Sequence, residues 1–304
     1  GIYLDDIADE IYQMPYPSTG AESFLTRLGY INSRSKIDVI IPTLDSEIPL
    51  YIRLQKELQE LGIHTFICTE KQFNLRDKSK LFQYFTSEDI TVPKTVLLNS
   101  VAEINKAIQD IEFPVFIKGH LYEAYKANNI IEAQKYFLEL QAKWGLPVIL
   151  QELIEGDEFN VVILGDGKGN CLGMVPQRKL VITDKGKGFG GVVVNNPALE
   201  KFAQKVIKSL SWRGPCELEI IKDKEGAFHL LEINPRFPAW VGQNQPAATV
   251  LLALGEIIEE LPPFKPGVLF IRHSEDIISN INLLGEISVN GELIRKQKKQ
   301  EEIK

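Results

Sequence analysis

The strongest constraint in this sequence is a segment in which acidic and apolar residues alternate on both sides of a glycine turn. Residues 216–222 read Cys-Glu-Leu-Glu-Ile-Ile-Lys, residues 227–233 read Ala-Phe-His-Leu-Leu-Glu-Ile, and Asp-Lys-Glu-Gly lies between them. Because successive side chains of a strand point to opposite faces, this pattern predicts an antiparallel hairpin with one buried face. The chain must therefore build a sheet that packs on a core.

The polar face of this hairpin is predicted to gather oxygen atoms. Glu217 and Glu219 share a face of the first strand, Glu232 and Asn234 share a face of the second, and Arg236 follows. If Glu219 lies opposite Glu232, two carboxylates and an amide surround one point, which is the ligand chemistry that Mg²⁺ prefers. A solvated outer face is the alternative interpretation. The strand leaves an apolar run at 228–231, and this favours the metal site.

The N-terminal part reads as strand, helix and strand. An apolar run at 37–41 ends at Pro42, a helical stretch at 48–61 ends at Gly62, and residues 63–67 read as a second strand. This order predicts a parallel βαβ unit of a doubly wound domain. Such a domain normally begins with a strand and a glycine turn, which do not precede Gly1, so we expect it to be incomplete at its N-terminus.

The remaining chain divides into two parts with different predicted secondary structure. A smaller α+β unit is predicted first, and paired strands with a glycine-rich, lysine-bearing loop follow from Val148. The predicted elements are a helix at 77–85, strands at 92–98 and 113–118, helices at 100–111 and 129–144, strands at 148–153 and 158–164, the loop at 183–191, a helix at 197–210 and a frayed tail at 295–304.

Composition excludes several classes of protein. The chain of 304 residues carries 34 lysines and arginines against 41 acids, a net charge of −7, which argues against nucleic acid or an anionic membrane as the main partner. No apolar run approaches the roughly 18 residues of a membrane helix. The scattered Cys68, Cys171 and Cys216 predict a reducing cytoplasm without a zinc site or disulfides. The chain has no GxGxxG after a first strand, which excludes a NAD-binding Rossmann enzyme.

The string Leu231-Glu232-Ile233-Asn234-Pro235-Arg236 resembles the metal signature of the ATP-grasp superfamily, and the resemblance extends from about residue 1 to about residue 255. In its overall sequence pattern the chain is similar to the carbamoyl-phosphate-synthase-like and carboxylate-amine ligase branches of this superfamily. The resemblance implies a fold of mixed α/β and α+β class. It implies a partial Rossmann-like pre-grasp domain at 1–76, a small α+β lobe at 77–147, and a larger antiparallel lobe with a C-terminal extension at 148–304.

The resemblance also implies roles for individual residues. Glu219, Glu232 and Asn234 are the expected metal ligands, with Glu217 as a substitute for Glu219, and Arg236 is expected to steady the transferring phosphate. The expected nucleotide-binding residues are Lys78, Lys118, Gln151, Glu152, Leu153, Ile154 and Glu158.

Within this set, the resemblance implies that the lysines bind phosphate, that the backbone of residues 153–154 hydrogen-bonds to the adenine edge, and that Glu158 binds the ribose hydroxyls. A β-bulge followed by a glycine turn is the alternative interpretation of 151–158. Arg178 and Lys179, on a predicted strand of the larger lobe, are additional catalytic candidates as anion binders.

Two segments depart from the family pattern. Residues 119–126 contain one glycine where many relatives carry a Gly- and Ser-rich phosphate flap, and the stretch after Arg236 is short. The first departure leaves the flap contacts in doubt. The second leaves Phe237, Trp240 and Asn244 as candidates for an acceptor pocket, with a buried aromatic cluster as the alternative for the two aromatic residues.

The resemblance implies an enzyme, an ATP-dependent carboxylate-amine ligase (EC 6.3-type) that forms an acyl phosphate and releases ADP and phosphate. ATP and Mg²⁺ are the implied cofactors, with Mn²⁺ as a substitute. The implied partners are a small carboxylate and an amine, amino acids or peptides among them, with a homodimer left open. Two alternatives remain: a catalytically silent Mg-ATP-binding module that organises a partner, and a carbamoyl-phosphate-synthase-like enzyme that uses bicarbonate.

Overall fold

The computed structural model describes residues 8–119, 123–183, 188–238, 240–274, 276, 278 and 280–294, and for Lys78 and Ser79 the backbone alone. The chain forms two compact units. The first takes its described residues from Gly1–Ile40, Arg53–Thr65 and Arg272–Lys304, and the second from Ile41–Ile52 and Phe66–Ile271. None of the described helices has the length and apolar character that crossing a membrane requires.

Helices and strands alternate irregularly along the described chain. The helices are α1 (Ala21–Arg34), α2 (Ile48–Arg53), α3 (Gln55–Glu60), α4 (Glu70–Leu75), α5 (Lys78–Thr86), α6 (Ile104–Ala107), α7 (Ile130–Trp144), α8 (Pro197–Leu210), α9 (Gln245–Ala253) and α10 (Ile281–Asn290). The strands are β1 (Glu10–Tyr12), β2 (Thr95–Leu98), β3 (Val115–Lys118), β4 (Ala124–Ala127), β5 (Val148–Glu152), β6 (Gly156–Asp166), β7 (Cys171–Ile182), β8 (Gly188–Val193), β9 (Arg213–Asp223), β10 (Phe228–Asn234), β11 (Leu269–Ile271) and β12 (Glu292–Ile294).

The second unit contains two antiparallel sheets. Six strands pair in the order β10-β9-β6-β7-β8-β11, and four pair in the order β2-β5-β3-β4. One face of the six-stranded sheet packs on α8, where Leu199, Ala203 and Val206 are completely buried. The four-stranded sheet packs on α7 through Phe137 and Leu140. Burial of these apolar faces holds each sheet to its helix.

The predicted helix at 197–210 is confirmed with the same bounds as α8. The Asn196 side chain accepts a hydrogen bond from the backbone N–H of Leu199, and Pro197 occupies the first turn, where its missing N–H costs nothing. The cap of α7 has the same chemistry, because the Asn129 side chain accepts from the N–H of Glu132. Local capping signals therefore determine where both helices begin.

The predicted strands at 37–41 and 63–67 are wrong. One isolated parallel bridge joins Val39 to His64, supported by the hydrogen bonds Ile40 N–H to His64 O (3.0 Å) and His64 N–H to Asp38 O (2.9 Å). Pro42 has no N–H to extend this ladder. The predicted helix at 48–61 is also broken, because Leu54 leaves helical geometry between α2 and α3.

Two further predictions changed in detail. The loop predicted at 183–191 falls partly on β8, which pairs with β7 and β11; residues 184–187 lie outside the described residues. Ser100 makes no side-chain cap, and the helix expected to reach residue 111 ends at Ala107. Residues 120–122 of the segment 119–126, where many relatives carry the flap, and the predicted tail at 295–304 lie outside the described residues.

Candidate functional site

The face of the six-stranded sheet opposite α8 carries a row of polar side chains. Asn160 pairs with Glu219 on one side and with Gln177 on the other, and Glu219 pairs with Glu232. Residues that pair directly in an antiparallel ladder point to the same face. The row therefore crosses four strands, while the residues between them, such as Leu218 and Val161, point into the core.

A β-bulge brings Glu232 to this face. Leu230 pairs with Ile220 and Glu232 pairs with Glu219, so Leu231 is an extra residue in β10. Without the extra residue, the alternation would place Glu232 opposite Leu218 and turn its carboxylate into the core. The bulge thus produces the carboxylate pair that the sequence pattern predicted.

Lys179 neutralises two carboxylates on this face. Its Nζ lies 3.0 Å from Glu158 Oε2 and 3.1 Å from Glu219 Oε2, and its side chain is 5% exposed. Burial lowers the pKa of Lys179, but the charges of Glu219 and Glu158 more than offset this effect and raise it. The lysine is therefore a fixed positive charge between two predicted site residues.

Arg236 lies between Glu217 and Asp45. Its Nη1 is 3.1 Å from Glu217 Oε2 and its Nε is 3.2 Å from Asp45 Oδ2. Glu217 also accepts a hydrogen bond of 2.6 Å from Asn160 Nδ2. Burial, followed by the neighbouring charge of Glu219, raises the pKa of Glu217. Both carboxylates have two side-chain partners, but Glu219 is 27% exposed and Glu217 8%, so Glu219 is the more accessible of the two to a cation.

The four-stranded sheet holds a second group of predicted residues. Lys118 Nζ donates to Gln151 Oε1 at 2.6 Å, and Gln151 Nε2 donates to the Thr95 hydroxyl at 3.0 Å. Glu152 accepts from the backbone N–H of Lys94 at 3.0 Å. Leu153 and Ile154 follow β5 as half-buried residues of the connection to β6.

A narrow crevice adjoins this group. Gln151 lines it together with apolar side chains from α5, from the segment before β2 and from β10, namely Leu81, Phe82, Val92, Pro93 and Leu231. The crevice is too narrow to admit a water molecule.

One predicted residue, Arg178, points away from the polar row. Arg178 pairs in register with the core residue Phe159, and its guanidinium contacts Asp157 at 2.7 Å with about half of its side chain exposed. Adjacent residues of a strand point to opposite faces, so Arg178 and Lys179 diverge. Lys78 begins α5, and its side chain lies outside the description.

Three residues of this face went unnoticed in the sequence. Asn160 and Gln177 are the polar positions in otherwise apolar stretches of β6 and β7, and that interruption is a usable signal. Asp45 follows no strand or motif, and its contact with Arg236 spans 191 residues of sequence. No local sequence pattern predicts such a contact.

The donor set suits a hard divalent cation. Glu219 and Glu232 lie opposite each other, and Asn234 Nδ2 contacts Glu219 Oε1 at 3.0 Å, so rotation of the amide by 180° would present its oxygen at the same place. Among the described residues no group of three His, Cys, Asp or Glu is close enough to hold a metal.

An open depression of about 740 Å³ lies along α1 in the first unit, with Thr19, Ser23, Arg27 and Tyr30 among its lining residues. None of the predicted site residues line it. The site residues predicted from the sequence therefore belong to the second unit.

Residues 146–273 match a family model described as ATP-grasp in the biosynthetic pathway with Ter operon. The carbamoyl phosphate synthase large chain of Methanobrevibacter smithii is 26% identical over 259 residues, which cover 76% of this chain and 23% of that relative. The vancomycin/teicoplanin A-type resistance protein VanA of Enterococcus faecium is 23% identical over 208 residues, covering 61% of this chain and 60% of VanA. The chain thus spans about a quarter of the synthase and three fifths of VanA.

Solved structures share the fold at low identity. Biotin carboxylase from Campylobacter jejuni superposes with a TM-score of 0.69 at 16% identity, covering 83% of this chain and 62% of that chain. L-amino acid ligase from Bacillus licheniformis gives a TM-score of 0.56 at 14% identity, covering 74% and 56%. These likenesses, the mixed helices and antiparallel sheets and the family match confirm the fold class predicted from the sequence. The match over residues 146–273 supports the resemblance to the ATP-grasp superfamily that the sequence indicated.

Proposed function

We propose that the protein is an ATP-dependent carboxylate-amine ligase that activates its carboxylate as an acyl phosphate and releases ADP and phosphate. The observation that carries this proposal is the facing pair Glu219–Glu232 with Asn234 beside it and Arg236 two residues further along the chain. The similarity to a carbamoyl phosphate synthase large chain and the folds of a biotin carboxylase and an L-amino acid ligase support it. The division into lobes at 1–76, 77–147 and 148–304 belongs to the same proposal.

Phosphate charge is the main obstacle to this chemistry, and lysines of β3, β7 and α5 would offset it. Lys118 at the end of β3 and Lys179 on β7 would bind phosphate oxygens, as would Lys78 at the start of α5. Glu219, Glu232 and Asn234 would hold Mg²⁺, which supplies further neutralisation of the phosphates when bound. Fixed charges in a water-poor site act without reorganising during the reaction.

The segment that follows β5 is the proposed base site. The backbone of Leu153 and Ile154 would offer N–H and C=O groups to the adenine edge, with Glu152 beside them. Glu158 would accept hydrogen bonds from the ribose hydroxyls, which requires it to share or release Lys179 (3.0 Å). Nucleotide binding would thus free the lysine for phosphate.

The reaction then proceeds in two balanced steps. A carboxylate oxygen of the substrate attacks the γ-phosphorus and the bond to ADP breaks. The amine next attacks the acyl carbon, phosphate leaves with the bonding electrons, and the nitrogen loses a proton. Arg236 would stabilise the oxyanion that develops between these events. Positioning and charge neutralisation provide the catalysis, and no protein nucleophile is required.

The cellular compartment, the use of Mn²⁺ and the oligomeric state are further parts of the proposal. The cysteines Cys68, Cys171 and Cys216 are free thiols, which is consistent with a reducing compartment, and we place the protein in the cytoplasm. Mn²⁺ would serve in place of Mg²⁺ at an all-oxygen site. A homodimer is compatible with the proposal but is not required by it.

The decisive experiment is nucleotide product analysis. Purified protein is incubated with MgATP and a panel of carboxylate and amine pairs, and ADP and AMP are separated chromatographically. We expect ADP with at least one pair and loss of turnover in Glu232→Gln, because the amide lacks the charge that holds the cation.

Glu225→Gln is the matched control. It makes the same chemical change in the exposed turn of the same hairpin, and it should leave turnover unchanged. Circular dichroism checks that both variants are folded. Release of AMP, or full activity in a folded Glu232→Gln protein, contradicts the proposal. Binding of MgATP without turnover on any pair favours the silent-module alternative.

A further inference from the structure

Two donors engage both carboxylate oxygens of Glu219, the central ligand of the proposed metal site. Glu219 Oε2 accepts from Lys179 Nζ at 3.1 Å, and Glu219 Oε1 accepts from Asn234 Nδ2 at 3.0 Å. A cation that takes Glu219 as a ligand must therefore replace at least one of these hydrogen bonds.

The two donors differ in how they can respond to a cation. The amide of Asn234 carries an oxygen beside its nitrogen, so this side chain can turn and become a ligand itself. The ammonium of Lys179 has donors only and carries a positive charge. It can neither join the ligands nor stay beside a divalent cation without repulsion. Lys179 is therefore the group that a cation must displace from Glu219.

The surroundings of Lys179 determine which acceptors remain for it. Its side chain is 5% exposed, and its Nζ also lies 3.0 Å from Glu158 Oε2. Its stem lies against β8, because a Cβ at Gly188 would be 3.8 Å from its Cγ and Cδ. A metal on Glu219 leaves Glu158 as the remaining carboxylate partner, and Glu158 is the proposed ribose ligand. A phosphate oxygen of the same nucleotide is then the acceptor that replaces both carboxylates.

We propose that Lys179 competes with the metal for Glu219, so that a divalent cation binds well only together with a nucleotide whose phosphate accepts the ammonium. Metal and nucleotide would then show positive coupling, and each would raise the affinity of the other by the same factor. The proposal rests on the proposed function and adds the regulation of its metal site. It assigns Lys179 a positioning role at Glu219 in addition to phosphate binding.

Binding of Mn²⁺ without nucleotide tests the competition independently of turnover. Mn²⁺ suits carboxylate and amide oxygens, and its free concentration is measured by electron paramagnetic resonance. In Lys179→Met an uncharged side chain replaces the ammonium, so the cation no longer has to break a charge-assisted hydrogen bond. We expect the Kd for Mn²⁺ alone to fall about tenfold or more. An equal or higher Kd in folded Lys179→Met overturns the proposal.

Circular dichroism shows whether this variant is folded, and Lys179→Gln is the second variant if it is not. The unfolding temperature gives an independent measure of the same effect. Mn²⁺ should raise it more in Lys179→Met than in the unmodified protein. A purely structural role of Lys179 would lower stability without this gain from the cation, and that outcome overturns the proposal.

Two single variants are the matched controls. Lys179→Arg keeps the positive charge at the position and should bind Mn²⁺ alone as weakly as the unmodified protein. Lys224→Met removes the same charge from an exposed pair with Glu155 and should also leave the Kd unchanged. A gain in Lys224→Met equal to that in Lys179→Met would show that net charge, and not competition at Glu219, controls the affinity. That result contradicts the proposal.

The double variant Lys179→Met/Glu232→Gln locates the cation. Glu232 lies opposite Glu219 in the β9–β10 register. If Mn²⁺ binds between these two carboxylates, the double variant should lose the affinity that Lys179→Met gained. A gain that persists places the cation elsewhere and overturns the proposal.

The coupling is measured by repeating the Mn²⁺ titrations with saturating ADP and allowing for the Mn²⁺–ADP complex in solution. The ratio of the two Kd values should be at least tenfold smaller in Lys179→Met than in the unmodified protein, and equal ratios overturn the proposal. If the unmodified protein binds ADP with Mn²⁺ but Lys179→Met gains no affinity for Mn²⁺ alone, only the competition is wrong. If the unmodified protein does not bind ADP with Mn²⁺, the proposed function fails as well.

Discussion

At the scale of single residues, burial decides which charges matter. The pairs Lys179–Glu158 and Lys224–Glu155 have almost equal N–O distances, 3.0 Å and 2.9 Å. Lys179 is 5% exposed, whereas Lys224 is 73% exposed. Exposed pairs contribute little to stability because water and salt screen them and two long side chains must be ordered.

We therefore expect Lys179→Met to destabilise the second unit by about 1–3 kcal/mol. Its removal leaves Glu158 and Glu219 facing each other without a cation, and the partial exposure of both carboxylates keeps the loss below that of a fully buried pair. Urea unfolding followed by tryptophan fluorescence measures the change. Lys224→Met, the control, should stay within about 0.5 kcal/mol of the unmodified protein. Equal losses in the two variants would contradict the argument.

Sequence reasoning reached the residues that alternation controls and missed those that depend on long-range contacts. Period-two patterning placed Glu217 with Glu219 and Glu232 with Asn234, but the facing of Glu219 and Glu232 depends on the extra residue Leu231 in β10. Asp45 reaches Arg236 from a segment far away in sequence, and this contact exists only after the fold has formed. Arg178 shows the opposite error, because the same alternation that places Lys179 on the polar face places Arg178 on the other.

At the scale of elements, two glycines of β9 and its turn have positive φ. Gly214, the second residue of β9, has φ +87°, and a Cβ there would lie 2.8 Å from the carbonyl oxygen of Phe66. Gly226 in the β9–β10 turn has a similar φ of +93°, but a Cβ there would meet only the end of the Lys222 side chain at 3.7 Å. The two positions share a strained backbone conformation and differ in the room available for a side chain.

Gly214→Ala should therefore cost more stability than Gly226→Ala. Both variants pay roughly 1–2 kcal/mol for a side chain at positive φ. We expect Gly214→Ala to lose about 1–3 kcal/mol more, because the neighbouring backbone must move to relieve the contact. Urea unfolding of both proteins gives the difference. Equal losses would show that the approach of Phe66 relaxes without cost.

The helices and strands that were predicted correctly have strong local signals. Capping asparagines and a helix-initiating proline mark α7 and α8, and alternation marks β9 and β10. The segments around Val39 and His64 were predicted as strands because they are apolar and short. Their burial as extended chain with a single bridge depends on the packing of the first unit, which a local pattern does not encode.

At the scale of the molecule, the tryptophans report on one unit. The three tryptophans of the chain, Trp144, Trp212 and Trp240, lie in the second unit, and Trp212 is completely buried. Tryptophan fluorescence therefore follows the unit that contains the polar face and the crevice. Circular dichroism follows both units, since α1 and α10 contribute helical signal from the first.

We expect MgADP to raise the unfolding temperature detected by tryptophan fluorescence. A ligand that binds only the folded state adds RT ln(1 + [L]/Kd), about 2.7 kcal/mol at a concentration one hundred times the Kd. Chelation of the metal with EDTA should remove most of this shift, since the carboxylates of Glu219 and Glu232 repel phosphate without a cation between them.

Lys118→Met should also reduce the shift, because it removes a predicted phosphate ligand at the end of β3. Lys135→Met, on the exposed face of α7 where Lys135 is 64% exposed, is the control and should retain the full shift. A shift of equal size in Lys118→Met and Lys135→Met would remove Lys118 from the nucleotide site, and a shift that survives EDTA would remove the metal from nucleotide binding.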